Sequence, residues 1–261
     1  MAMRVCILGS GSSGNATLVG SATTHILIDA GLSARELDRR LGELQLSAAS
    51  LAGICVSHEH SDHTAGLRVL HQRHGVRLFG NAGTIEALNG NDNTKDLQWQ
   101  VFSTGMPFTI GDLHIEPFSV PHDAYDPVGF VVSNGSSRVG VVTDIGVPTS
   151  LVRERLRRCH AVVVESNHDE EMLKDAERPW YLKQRIMGRQ GHLSNERAAN
   201  LLAEIATPDL SHVFLAHLSE QCNTEAIAVA TMRRKLDQAG HSHIKVSPTY
   251  PDRISELCCL A

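Results

Sequence analysis

Short apolar runs rich in β-branched residues recur along the chain between Gly, Ser, Asn and Asp, and they predict strands. The predicted strands span residues 5–8, 16–19, 25–28, 53–56, 76–79, 113–118, 128–133, 138–142, 161–164, 213–216 and 244–246. Asn134-Gly135 lies between two of these runs and is typical of a hairpin turn, and Ser136 and Ser137 indicate a loop longer than two residues.

Helical periodicity fills the intervals between the strands. The clearest helix begins at Ser33, where Ser33 and Glu36 match a capping box and Leu32 and Leu37 match a hydrophobic staple. Further helices are predicted over residues 63–74, 84–88, 148–158, 194–206 and 224–239. Strands that come first as hairpins and then alternate with helices predict an α/β (α+β) fold, with two mixed β-sheets flanked by helices in a four-layer αββα sandwich. Since no Pro/Gly/Ser-rich linker divides residues 1–261, we expect a single domain.

Composition narrows the classes of protein to which the chain can belong. The 261 residues are 42% hydrophobic and 20% charged, an ordinary globular balance that excludes disorder or a fibre as the main description. The net charge of −5 argues against a protein that holds nucleic acid by its overall charge, although it permits a local basic groove. Six cysteines without a C-x-x-C pair indicate free thiols in a reducing cytoplasm. The apolar runs are too short to cross a bilayer, so we expect a soluble protein without membrane association.

Histidine is unusually frequent, and its densest cluster follows a predicted strand. The 15 His outnumber the two Trp, three Tyr and six Phe combined. In His58-x-His60-x-Asp62-His63, positions two apart face the same side of an extended segment, so His58 and His60 can bind one metal ion. Asp62 and His63 stand at the entry to the next helix and can reach a second ion. An isolated H-x-H would more often be a solvated loop, but the added Asp-His and the preceding strand favour metal binding.

Three later residues at strand ends can complete the two coordination shells: His122, Asp144 and His217. Asp144 is the natural bridge between the ions. Two divalent ions about 3.5 to 4 Å apart are typical of hydrolases in which a bridging hydroxide is the nucleophile. The alternative for each of the three residues taken alone is a capping or hydrogen-bonding group, but metal binding is favoured.

This order of ligands resembles the metallo-β-lactamase superfamily over nearly the whole chain. The resemblance implies an αββα sandwich with a dinuclear zinc, manganese or iron centre at the sheet edges. It also implies that one metal is held by His58, His60 and His122, the other by Asp62, His63 and His217, with Asp144 bridging them. The motif is specific for the fold and much less so for the substrate.

Within the superfamily, residues 9–15, 29–31, 165–169, 191–195 and 215–223 resemble the bacterial YycJ (WalJ) branch, which implies a DNA exonuclease. The segment around His192 is also similar to ribonuclease Z. There, a histidine in this place, paired with a glutamate placed like Glu165, protonates the leaving oxygen.

Phosphodiester cleavage needs a proton for the leaving alkoxide, and His192 is the candidate acid. Glu165 can hold its tautomer and raise its pKa, and Asp62 is the third residue expected to be catalytic. Alternatively, His192 simply precedes the helix that Ser194 caps. His168 lies in a loop close to Glu165 and is a candidate for binding substrate or metal.

Two further segments are candidates for substrate binding. Residues 9–15 match G-x-G-x-x-G, but the next segment reads as a strand, which excludes the dinucleotide-binding fingerprint. The loop is either a tight turn or a turn that directs Ser12, Ser13 and Asn15 at a phosphate. A basic segment before His192 either tracks a nucleic-acid backbone and stacks a base or is a solvated face; it contains Lys174, Arg178, Trp180, Tyr181, Lys183, Arg185 and Arg189.

Three functions are therefore considered. The first is a dinuclear metal nuclease, a 5′ to 3′ exonuclease on double-stranded DNA by resemblance. The second is a small-molecule hydrolase with the same centre, either a cyclic phosphodiesterase or a thioester or lactone hydrolase. The third is a metal-binding scaffold without turnover, which the full ligand set and the candidate acid argue against. The sequence leaves a monomer and a homodimer equally open.

Overall fold

A computed structural model describes residues 2–91 and 93–260. The strands of this part of the chain are β1 (Met3–Gly9), β2 (Ala16–Gly20), β3 (His25–Ile28), β4 (Gly53–Cys55), β5 (Leu78–Asn81), β6 (Trp99–Phe102), β7 (Phe108–Ile110), β8 (Leu113–Ser119), β9 (Val128–Ser133), β10 (Arg138–Val142), β11 (Ala161–Glu165), β12 (His212–Ala216), β13 (Lys245–Pro248) and β14 (Cys258–Leu260).

The α-helices of the same residues are α1 (Ala34–Glu43), α2 (Ser61–Thr64), α3 (Leu67–His74), α4 (Ala82–Asn89), α5 (Ser150–Leu156), α6 (Glu170–Asp175), α7 (Trp180–Met187), α8 (Asn195–Ile205) and α9 (Glu225–Gln238). A short 3₁₀ turn spans Ala48–Ser50. Among the described residues, no helix is both long and apolar enough to cross a membrane.

The strands form two mixed sheets. The first has the order β14-β1-β2-β3-β4-β5-β6, and the second has the order β13-β12-β11-β10-β9-β8-β7. Hairpins join β1, β2 and β3 in the first sheet and β7, β8, β9 and β10 in the second, and all these pairs are antiparallel. From β3 to β6 and from β10 to β13 the pairing is parallel.

Three apolar layers separate the sheets and helices, as the alternation along β11 illustrates. Ala161 and Val163 lie in the core between the two sheets. Val162 and Val164 point the other way, into the core beneath α5, α8 and α9. A third core lies between the first sheet and α1 and α3. Alternate side chains of a strand point to opposite faces, and here both faces are covered by an apolar core, so such strands are apolar throughout. The predicted four-layer αββα sandwich is confirmed.

The topology directs the strands that precede the polar clusters to one edge of the sandwich. β1 and β3 are each antiparallel to β2, and β4 is parallel to β3, so all three end on the same side. In the second sheet β8, β10, β11 and β12 share a direction in the same way. The loops that follow these carboxyl ends carry the polar clusters singled out above.

Candidate metal centre

Histidine and carboxylate side chains from both sheets meet at this edge. Ligand atoms within 4.8 Å of one another form four overlapping groups among the described residues: His58, His60 and His122; Asp62, His63 and His217; His58, His63 and Asp144; and Asp144, Glu165, His192 and His217. The structure therefore brings all seven predicted metal ligands together, in the two predicted sets of three with Asp144 next to both.

The first set combines the loop after β4 with the loop after β8. His58 Nε2 lies 3.1 Å from His60 Nδ1. The ring of His122 is 5.0 Å from that of His58 and 5.2 Å from that of His60, measured between centroids. Three imidazoles crowded in this way suit a single cation, because a cation can bind the nitrogen that each ring directs at the others.

The second set spans the two sheets. His63, in α2, is fully buried, and its Nε2 lies 3.5 Å from Asp62 Oδ2. The Nε2 of His217, which follows β12, also lies 3.5 Å from that carboxylate oxygen. His217 is one of the few described non-glycine residues with a positive φ, at 54°. Its backbone N–H donates to Ser10 Oγ at 2.7 Å, which holds this turn in place.

Asp144 follows β10 and lies between the two sets. Its Oδ2 is 3.0 Å from His63 Nε2, and its Oδ1 is 3.8 Å from His122 Nε2 and 3.4 Å from His217 Nδ1. One carboxylate thus lies close to histidines of both sets, as a bridging ligand would.

Protein acceptors hold the second ring nitrogen of several of these histidines. Asp29 Oδ2 accepts a hydrogen bond from His63 Nδ1 at 2.8 Å, and Ser57 Oγ lies 2.9 Å from His58 Nδ1. The carbonyl oxygen of Gly191 lies 3.2 Å from His122 Nδ1. A histidine whose Nδ1–H is engaged in this way presents a lone pair at Nε2, as metal-binding histidines generally do.

Glu165, at the end of β11, makes a similar set of contacts on the other side of the centre. Its Oε1 lies 2.6 Å from His192 Nδ1 and 3.1 Å from His217 Nδ1. Its Oε2 accepts the backbone N–H groups of Ile145 and Leu193, at 2.9 and 3.0 Å. The carboxylate is fully buried, and these four donors fix it in one orientation.

The residues fit divalent metal ions. The Nε2 atoms of His122 and His217 are buried and have no hydrogen-bond partner. An unpaired buried polar atom is costly, and an ion at the centre would satisfy both. The donor set of imidazoles and carboxylates suits zinc, manganese and iron.

The electrostatics of the centre also favour cations. Burial raises the pKa of Asp62, but the interactions of its carboxylate with His217 and His63, each 3.5 Å away, outweigh it and hold that pKa below its usual range. The pKa of Asp144 is likewise far below normal, because the charges of His217 and His63 outweigh the effect of burial. Burial lowers the pKa of His58 well below its ordinary value. The two carboxylates are therefore ionised and His58 is neutral, as metal binding requires. In His63 and His217 burial lowers the pKa, but the neighbouring carboxylates more than compensate, so a bound ion would displace a proton from each of these rings.

His192 lies beside the metal ligands without joining either set of three. Its ring centroid is 5.3 Å from that of His122 and 5.2 Å from that of His217. Burial lowers its pKa, but the carboxylate of Glu165 more than compensates, so the pKa of His192 is raised. Since Nδ1 faces Glu165, Nε2 is the ring nitrogen available to another molecule.

The centre opens into a cleft of about 330 Å³. His60, Asp62 and His192 line its floor, and one wall is the segment that contains α7. Ser12 also lines the cleft, as expected for a substrate-binding residue, whereas Ser13 is exposed but lies outside the cleft lining.

Two other predicted substrate-binding residues are placed differently from what we expected. Asn15 is 2% exposed, and its Nδ2 donates to Asp62 Oδ2 at 3.2 Å and to Gly11 O at 3.1 Å. It orients a predicted ligand instead of facing the cleft. His168 is also 2% exposed and pairs through its backbone with Ser194, behind the cleft wall. Burial lowers the pKa of His168 to about 4.

The sequence interpretation missed two residues of the site, Asp29 and Ser57. Asp29 is buried, has a φ of 64°, and accepts both the backbone N–H and the hydroxyl of Ser57, each at 2.7 Å. Asp29 directly follows the apolar run 25–28, so it carried the same strand-end signal as Asp144. In the sequence nothing separates Ser57 from other serines in loops. Only its contacts with Asp29 and His58 in the structure identify it as part of the site.

Comparison with known proteins places this centre in a family context. A family model described as a β-lactamase superfamily domain matches residues 24–218. The chain is 36% identical over 243 residues to exodeoxyribonuclease YycJ of Bacillus anthracis, covering 92% of this chain and 91% of that protein. It is 34% identical over 260 residues to exodeoxyribonuclease WalJ of Streptococcus pneumoniae, covering 96% of each.

A solved structure with the same architecture is the metallo-β-lactamase fold protein YhfI from Bacillus subtilis. It superposes with a TM-score of 0.76 at 16% sequence identity, covering 100% of both chains. At that identity the similarity shows the fold.

Proposed function

The chain belongs to the β-lactamase superfamily, and on that premise we propose that it is a metal-dependent exodeoxyribonuclease. In finer detail, we propose that it degrades double-stranded DNA from the 5′ end towards the 3′ end. We also propose that it works in the cytoplasm, since all six cysteines are free thiols and a reducing compartment keeps them so.

One observation carries the proposal: histidine and carboxylate clusters that could hold metal ions occur in a chain 34–36% identical, over nearly its whole length, to proteins named exodeoxyribonucleases. His58, His60 and His122 would hold one ion, Asp62, His63 and His217 the other, and Asp144 both. When bound, such ions neutralise charge on a scissile phosphate and acidify water to hydroxide, the proposed nucleophile.

The chain itself supplies the remaining proton chemistry. The leaving oxygen of a phosphodiester departs as an alkoxide unless it is protonated. His192 lines the cleft with Nδ1 held by Glu165, so Nε2 is placed to donate a proton to that oxygen. Glu165 keeps the ring oriented and stabilises its protonated form. The same carboxylate also orients His217, so it couples the proton donor to the metal site.

The test measures DNA degradation and metal content on the same variants. Wild-type protein loaded with Mn²⁺ or Zn²⁺ is expected to shorten a 5′-labelled duplex. Asp62→Ala should abolish this and reduce the bound metal, because it removes a ligand. His192→Ala should slow turnover by about 10² to 10⁴-fold, the usual contribution of a general acid, with bound metal unchanged.

Three results would contradict parts of the proposal. Loss of metal from His192→Ala would make this residue a ligand rather than the acid. Shortening from the 3′ end would reverse the polarity. If metal-loaded protein ignored duplexes and instead opened a cyclic nucleotide, the small-molecule alternative would replace the nuclease.

A further inference from the structure

We propose that Arg178 and Arg185 bind two different phosphates of one DNA strand and thereby select polynucleotides over small phosphodiesters. This inference rests on the proposed nuclease function and adds the substrate contacts that the metal centre itself does not provide. Both arginines belong to the segment that forms one wall of the cleft.

Only some of the basic residues in this segment face the cleft. Arg178, Leu182 and Arg185 line it, together with Ile186. Leu182 and Arg185 lie one turn apart on the cleft-facing side of α7, beside Ile186, and Arg178 directly precedes the helix N-cap, Pro179. This face alternates charge with apolar surface, which suits a strand whose phosphates are separated by sugars and bases.

The neighbouring lysines are engaged elsewhere. Lys174 pairs with Glu171 at 2.5 Å on the exposed side of α6, three residues away. Lys183 is 8% exposed and donates to the backbone carbonyl of Lys174 at 2.5 Å. Neither lysine lines the cleft. Of the basic residues in this segment, Arg178 and Arg185 line the cleft, whereas Lys174, Lys183 and Arg189 do not.

Each arginine is tied to a loop that carries a predicted metal ligand. Arg185 donates to Asp123 Oδ2 at 2.5 and 2.9 Å, and Asp123 adjoins His122. Arg178 donates to Gln221 Oε1 at 2.6 and 3.2 Å, on the loop that follows His217. The two guanidinium groups therefore stand on opposite sides of the cleft mouth, one towards each set of three ligands.

These contacts are of a kind that a phosphate can replace. The Arg185–Asp123 pair is well exposed, with 65% and 52% of the two side chains accessible, and exposed ion pairs contribute little free energy. The partner of Arg178 is a neutral amide. A phosphate offers either guanidinium a charged, bidentate acceptor. Because the two guanidinium groups are held by different loops, Arg185 by Asp123 after β8 and Arg178 by Gln221 after β12, we expect each to bind a phosphate of its own.

The experiment compares Arg178→Gln, Arg185→Gln and the double variant with Lys174→Gln, a matched control. The control removes the same charge from the same segment but outside the cleft. Each protein is assayed with duplex DNA and with bis(p-nitrophenyl) phosphate, a diester too small to reach both arginines. Binding of a fluorescent oligonucleotide is also measured by anisotropy in EDTA, which does not require the loaded enzyme.

We expect each arginine variant to bind DNA about tenfold to a hundredfold more weakly and to raise the KM for DNA correspondingly. The affinity of each variant for DNA should also depend less on salt. The slope of log affinity against log salt concentration should become shallower by about 0.7 to 0.9 for each phosphate that the variant no longer binds. Hydrolysis of the small diester should stay at the wild-type rate, and Lys174→Gln should match wild type in every measurement.

Two patterns would overturn the inference while leaving the nuclease function intact. In the first, wild-type and arginine variants degrade DNA with the same KM and the same salt slope. In the second, activity on DNA and on the small diester falls together, so that the arginines support the metal centre or the fold. Wild-type protein that cleaves the small diester but neither binds nor degrades DNA would overturn both this inference and the nuclease proposal.

Discussion

His63 lies between two buried carboxylates, with Asp29 2.8 Å from Nδ1 and Asp144 3.0 Å from Nε2. Burial opposes protonation of this imidazole, but the two acids outweigh it and raise the pKa of His63 well above the ordinary value. A metal ion on Nε2 would take the place of that proton and still leave Nδ1–H bonded to Asp29. Asp29 is therefore a positioning residue for metal binding.

Asp29→Asn should weaken metal binding by about 10 to 100-fold, the usual effect of removing a carboxylate from a metal-binding histidine. The amide is the same size but is uncharged and has only one acceptor oxygen. It therefore cannot accept both the Ser57 backbone N–H, which binds one carboxylate oxygen, and His63 Nδ1, which binds the other. Isothermal titration with Zn²⁺ measures the affinity, and circular dichroism checks the fold. Asp112→Asn is the control, because Asp112 accepts Ser21 Oγ on the surface. Equal zinc affinity in wild type and Asp29→Asn would contradict the assigned role.

At the scale of elements, the sequence predicted where several strands end and where the strongly periodic helices lie, but it did not predict the irregular connections. β3, β9 and β10 occur at their predicted bounds, because each is a β-branched run between turn residues. The Asn134-Gly135 turn joins β9 and β10, with Gly135 at a φ of 90°. The residues after Gly9-Ser-Gly-Ser-Ser-Gly form strand β2, as expected, which agrees with the rejection of a dinucleotide fingerprint.

The differences between the predicted elements and those of the structure have local physical causes. β6, β7 and β14 are short strands at or near sheet edges with exposed positions, so their apolar pattern is weak. α6 and α7 were missed because most of their side chains are exposed and only Leu173 and Lys183 are buried. The predicted helix over residues 63–74 is two helices, α2 and α3, with Gly66 as the N-cap of the second.

The predicted capping box of α1 forms only in part. Ser33 Oγ accepts the backbone N–H of Glu36 at 3.3 Å. The carboxylate of Glu36 does not return a bond to Ser33, because it binds Arg39 and Arg40 instead. Arg40 is 3% exposed and also donates to Leu8 O, at the end of β1. Competition from long-range partners of this kind is invisible in the local sequence.

One connection between elements depends on the absence of a side chain. Gly31 follows β3, and its N–H donates to Asn15 O at 2.8 Å. A Cβ at this position would overlap the carbonyl oxygen of Asp62. Gly31 therefore allows the end of β3 to lie directly against the loop that carries the metal ligands.

Gly31→Ala should destabilise the protein by about 1 to 3 kcal/mol or more, the usual cost of overpacking, and should displace Asp62 from the centre. Urea unfolding measures the stability, and zinc titration measures the site. Gly42→Ala is the matched control, since nothing lies within 4 Å of its Cβ position and it is in helix α1. That substitution should stabilise by roughly 0.5 to 1 kcal/mol. An unchanged zinc affinity in Gly31→Ala would mean that the loop adapts to the added methyl group.

At the scale of the whole molecule, the candidate centre joins the two sheets. The motif from His58 to His63 follows a strand of the first sheet, whereas His122, Asp144 and His217 follow strands of the second. The sheets also share one apolar core between them. Ions held by both sets of residues would therefore cross-link the two halves of the chain, and we propose that residues 1–261 are a single cooperative domain.

Removal of metal should lower the melting temperature without splitting the transition. A ligand present at a hundred times its dissociation constant adds about 2.7 kcal/mol to the free energy of unfolding, which corresponds to roughly 5 to 10 °C for a protein of this size. Differential scanning calorimetry before and after EDTA treatment measures the shift. Zn²⁺ or Mn²⁺ should restore the original melting temperature, whereas Ca²⁺ should not, because imidazole nitrogens are poor ligands for a cation that prefers oxygen. Two separated transitions would instead show that the sheets unfold independently, and an unchanged midpoint would show that the centre adds no cross-link between them.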